Sequence, residues 1–131
     1  MTFSGRKPDR LEDEATVYRA LLRKQWIDAT AGSVEPDAFY LRKNKNEIGL
    51  SVNLATVYTP EQCAARFQTC YGVASLVVGQ VRQLGLDVVA DSPSHANILG
   101  LPYREDNREL ADRLAELLAQ QAILSWQPKL I

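Results

Sequence analysis

Ile48-Gly49-Leu50-Ser51-Val52-Asn53-Leu54 is the stretch on which the fold turns. Its apolar residues Ile48, Leu50, Val52 and Leu54 alternate with Gly49, Ser51 and Asn53, the period-two pattern of a strand with one buried face. Upstream, Ala38-Phe39-Tyr40-Leu41 reads as a shorter strand. The polar run Arg42-Lys43-Asn44-Lys45-Asn46-Glu47 then reads as the loop of a hairpin, because asparagine tolerates the left-handed backbone of tight loops.

Working outward toward the C-terminus, Thr59-Pro60-Glu61-Gln62 marks a helix start. Thr59 can cap the free N–H groups, Pro60 suits the first helical position and Gln62 completes a capping box, so a helix is expected to about Thr69. Its apolar face would hold Cys63, Ala64, Phe67 and Cys70. Residues 73–84 read as a strand on Leu76-Val77-Val78 and Val81, although Leu76, Gln80 and Leu84 also fit helical spacing. Leu86-Asp87-Val88-Val89-Ala90, ended by Asp91-Ser92-Pro93, and Ala96-Asn97-Ile98-Leu99 read as further strands. Asp106 and Glu109 form a second capping box, and Leu110, Leu114, Leu117, Leu118 and Ile123 draw one apolar stripe, predicting a helix over 106–123. Pro128 ends the helix at the latest, and Trp126 is large enough to anchor the tail on the body or on a partner.

Toward the N-terminus, Glu35-Pro36-Asp37 and Thr30-Ala31-Gly32-Ser33 mark loops. Ala15, Tyr18, Leu22 and Trp26, spaced by three and four, predict a helix over 15–27, despite the β-prone Thr16-Val17-Tyr18. Residues 1–13 are polar and carry Pro8, so they are expected to form a flexible arm. The elements add up to one α+β domain over residues 1–131: a small, mostly antiparallel sheet of four to five strands with two to three helices packed on it, the C-terminal helix covering one face.

Composition narrows the class. The 131 residues are 46% hydrophobic and 24% charged, far from the composition of disordered chains, and the formal net charge of -1 gives no general attraction to nucleic acid or anionic membranes. Residues 1–8 lack the apolar core of a signal peptide and no stretch approaches a membrane span, so a cytoplasmic location is expected. Cys63 and Cys70, seven apart on a helix, would lie roughly 10 Å apart, beyond disulfide reach, and read as buried reduced thiols. With one histidine and two such cysteines there is no zinc ligand set, and neither a metal nor any cofactor is indicated.

The single histidine, His95, stands in Pro93-Ser94-His95-Ala96-Asn97, between two expected strands where a side chain can face a cleft. It is the candidate catalytic residue, with Asp91 and Asn97 the nearest groups to orient it. Arg42 and Lys43, beside Tyr40 on the expected hairpin, combine positive charge with an aromatic ring, a pairing that grips phosphate or stacks on a base. The same charges on a loop also guard a sheet edge against aggregation. Arg19, in Val17-Tyr18-Arg19, and Ser51, in Leu50-Ser51-Val52, resemble over a handful of residues the nicotinamide-pocket residues of small ADP-ribosyltransferase-like toxins. The acidic residue such a family carries after its last strands has no counterpart placed here, and a helix over 15–27 would take Arg19 off a strand.

Two functional classes follow. The first is a non-catalytic interaction module, with a protein partner or a second copy of itself docked on the leucine-striped C-terminal helix and Trp126. The second is a small nucleotide-handling enzyme or nucleotide-binding protein whose cleft gathers His95, Asp91, Arg42 and Tyr40, with Lys43 and Asn97 beside them.

Overall fold

The computed structural model describes residues 10–129. Its centre is a six-stranded antiparallel sheet made of β1 (Thr16–Leu21), β4 (Gly49–Leu54), β5 (Gly72–Val77), β6 (Asp87–Ala90), β7 (His95–Leu99) and β8 (Ile123–Trp126), in the order β6-β7-β4-β1-β5-β8. A two-stranded ribbon, β2 (Ile27–Asp28) with β3 (Ser33–Val34), stands apart from it. The helices are α1 (Pro60–Ala65), α2 (Val78–Arg82) and α3 (Arg108–Gln121), with single 3₁₀ turns at Lys24–Trp26, Pro36–Phe39 and Lys43–Lys45. The fold is α+β as expected, with more strands.

The sheet's two faces are sealed differently. On one, Val17, Leu50, Val52, Leu76, Val88 and Ile98 pack with Leu114, Ala115 and Leu118 of α3 and with Phe39 of the 3₁₀ turn. Leu114 and Leu118 are 7% and 0% exposed and face the protein's own core, whereas Leu110 and Ile123, the two ends of the expected stripe, are exposed. On the other, Cys63 and Ala64 of α1 close over Ala20 and Val73, with Tyr18, Phe67 and Trp126 at the margin. Burial at both faces is what lets β1 sit centrally.

Four expectations need correction. The helix expected over 15–27 is strand β1: its β-branched start pairs with both β4 and β5, and hydrogen bonding on two sides outweighs a three-and-four spacing. The hairpin between 38–41 and 48–54 does not form. Pro36, lacking an N–H, opens a 3₁₀ turn that buries Ala38 and Phe39, and β4 pairs with β1 and β7 instead. Residues 73–84 are both readings in succession, β5 and then α2, joined to β6 through Gly85 at φ +85°. The helix expected to reach Ile123 ends at Gln121: Ala122 turns extended, and Ile123 opens β8, which adds to the sheet edge against β5.

The helix starts fare better. Thr59 and Gln62 form the reciprocal capping box of α1, which ends at Ala65 rather than near Thr69. The cap of α3 falls one residue later than expected, at Asn107, whose side chain accepts from the Leu110 N–H, while Asp106 is taken by Lys43. Of the arm expected over residues 1–13, residues 1–9 lie outside those described. Beyond them Leu11 packs on the core, its carbonyl accepts from Arg82, and the Asp13 carboxylate pairs with Arg82 at 2.7 Å. Among the described residues, no helix is long and apolar enough to cross a membrane.

Candidate functional site

β1 pairs with β5 over six residues and β4 with β7 over five, yet β1 and β4 meet only at Val17↔Leu54 and Tyr18↔Asn53. Beyond Tyr18 the two central strands part. Alternation from Val17 and Leu21, both fully buried, puts Arg19 on the apolar face between them. Its side chain spans the gap: Nε donates to the Ala38 carbonyl at 3.0 Å and Nη1 to the Ser51 carbonyl at 3.1 Å, with the guanidinium 5.4 Å from the Trp26 ring centre. Arg19 and Ser51, the two residues of the family resemblance, are thus in contact.

Arg19 forms no ion pair among the described residues. Burial pushes its guanidinium down to about 10, Glu47 pulling the other way and Arg42 adding to the fall. A positive charge held, among the described residues, by carbonyls at the floor of an opening is poised for an anion.

That opening is a cleft of about 1340 Å³. Seven arginine or lysine side chains line it, against three carboxylates, together with Trp26, Tyr40 and Phe67. The chain as a whole is nearly neutral, so this is a local concentration of charge.

One rim is the loop expected to grip phosphate, and its groups are already engaged. Glu47 accepts from the Arg42 backbone N–H at 2.7 Å and pairs with the Arg42 guanidinium at 2.9 Å, which holds its carboxyl below the usual range. Lys43 pairs with Asp106, and the Tyr103 hydroxyl donates to the Glu47 carbonyl. The Tyr40 hydroxyl donates to Asp112 at 2.6 Å, while Arg104 stacks over the Tyr40 ring and pairs with the same carboxylate. Burial, with the Asp112 contact second, pushes the Tyr40 hydroxyl up to about 12.

The other rim carries His95. Its Nδ1 lies 2.7 Å from Asp91 Oδ1, and Asn97 Nδ2 donates to Asp91 Oδ2 at 2.9 Å. These bonds, the histidine's first, hold the Asp91 carboxyl below its ordinary value. His95 lines the cleft, whereas Asp91 and Asn97 are not among its lining residues and reach it only through His95. Directly opposite His95 in the β4–β7 ladder is Asn53, 4% exposed, whose Oδ1 accepts from Cys63 Sγ at 3.3 Å and whose Nδ2 has no partner.

His95, Tyr40, Arg42 and Lys43 therefore share one cleft, although they come from segments far apart in sequence. Trp26, Arg66 and Asn53 were not legible as site residues, and Arg19, the floor, was visible only through the family resemblance. For Arg19 a signal exists once β1 is read as a strand: a charge standing between two core positions. Among the described residues no three His, Cys, Asp or Glu side chains converge as a metal group. Protein-family models, curated proteins and solved structures give no match to this chain.

Proposed function

We propose that the chain binds a nucleotide or dinucleotide in the β1–β4 split, with the phosphates on Arg19 and the neighbouring basic side chains. The observation that carries this reading is the Arg19 guanidinium, lodged between strands without a carboxylate partner among the described residues and stacked on Trp26. A partly buried charge that no carboxylate among the described residues offsets favours an anion, and a phosphate oxygen is such a group. Trp26 and Phe67 supply ring faces for a base, and about 1340 Å³ is room for a dinucleotide. The likeness of Arg19 and Ser51 to nicotinamide-pocket residues makes nicotinamide adenine dinucleotide the first ligand to try. A contact module joined through α3 has less to draw on, since Leu114 and Leu118 are spent on the core.

A thermal-shift panel of ATP, ADP, nicotinamide adenine dinucleotide and inorganic pyrophosphate tests the reading. At ten times Kd a ligand adds about 1.4 kcal/mol, which for a domain of this size raises Tm by roughly 5 °C. Arg19→Met is expected to lose that rise while remaining folded, since the side chain is only partly buried and methionine keeps an apolar stem against Trp26. Absence of any shift across the panel would overturn the proposal.

A further inference from the structure

The end of the cleft at His95 holds more than a binding surface needs. With the Asp91 carboxylate accepting from Nδ1–H, Nε2 is the nitrogen left to act as acceptor in the neutral tautomer. Asn97 in turn holds the far oxygen of Asp91, so the imidazole is oriented by a group that is itself oriented. Across the ladder, His95 and Asn53 leave the sheet on the same face with Cβ atoms about 5 Å apart. Asn53 Nδ2 is a buried donor with nothing among the described residues to accept from it. An unsatisfied buried amide is costly, and here it lines the cleft beside a base.

We propose that His95 is a general base that activates water against a nucleotide's pyrophosphate linkage, with Asp91 positioning it and Asn53 Nδ2 donating to an oxygen of the reacting phosphate. The proposal rests on the nucleotide reading of the cleft and adds a reaction to it. In the step, water oxygen bonds to phosphorus as one water proton passes to His95 Nε2. The bridging P–O bond breaks, and the departing phosphate takes the electron pair and then the proton. Two monophosphate products result, with no oxidant or reductant involved. The cleft's basic side chains stabilise charge on the non-bridging oxygens as the bond opens.

The test follows nicotinamide adenine dinucleotide by phosphorus NMR. Wild type is expected to convert the pyrophosphate signals into two monophosphates. His95→Ala should lower kcat 100-fold or more at little-changed KM, the usual reach of a positioned base, and added imidazole should restore part of the rate. That rescue is a response a merely structural histidine would not give. Asp91→Asn should lower kcat less, and Asn53→Leu should lower kcat with the ligand's thermal shift retained. A wild-type protein that shows the thermal shift but leaves the phosphorus signals unchanged would overturn the proposal and leave the binding reading standing. Release of nicotinamide with the pyrophosphate intact would overturn it as well, by moving the reaction to the glycosidic bond. Failure to bind any nucleotide would sink both readings together.

Discussion

Replacing Tyr40 by Phe removes a hydrogen bond to the Asp112 carboxylate and leaves the ring under Arg104, so the expected cost is about 1 kcal/mol in chemical denaturation. The pH dependence has a definite sign. The folded-state value of Tyr40 is raised, from 10.0 to about 12, so its contribution is fully present below pH 10 and is lost as pH climbs through about 12. Tyrosinate absorbance should accordingly show one of the five tyrosines ionising late in wild type, and Tyr40→Phe should delete that late component. At this scale the sequence was partly legible. Tyr40, Arg42, Lys43 and His95 could be singled out because aromatic, basic and imidazole groups stand out on polar loops. Asn53 could not, because a polar residue on the outer face of an alternating strand looks solvated until α1 closes over it. Arg19 was seen only through a resemblance, its charge hidden by a helical spacing that Ala15, Tyr18, Leu22 and Trp26 satisfy by coincidence.

Elements bounded by side-chain chemistry were read more reliably than elements set by distant pairing. The α1 start is written in four consecutive residues, and Thr59→Ala is expected to cost about 1 kcal/mol in urea unfolding, since it leaves the Gln62 N–H without its acceptor. Because α1 carries Cys63, whose hydrogen bond holds Asn53, the same variant should also weaken nucleotide binding modestly. No such local code exists for β1 or β8. β1 is a strand because β4 and β5 flank it, and β8 because β5 offers a free edge after α3 ends. Residues 73–84 were ambiguous for a related reason: an apolar run that is half strand and half helix satisfies both periods. The parting of β1 from β4, which makes the cleft, depends on how far two strands stay paired and leaves no local mark in the sequence.

For the molecule as a whole, α3 and α1 hold the two faces of one sheet, and the cleft opens where its two central strands separate. Leu118 is fully buried in that arrangement, so Leu118→Ala should destabilise by about 3 kcal/mol. Leu118→Asp should unfold the chain, seen by circular dichroism, and light scattering should show no folded monomer released from an assembly. The central claim, that the split between β1 and β4 receives a nucleotide on Arg19, is tested most directly by titrating nicotinamide adenine dinucleotide into ¹⁵N-labelled protein. The Arg19 Nε–H and Asn53 Nδ2 signals, with the backbone amides of residues 19–21 and 51, are expected to move first and saturate together. Those signals staying fixed, with any shifts confined to the outer surface of α3 or to β8, would contradict it.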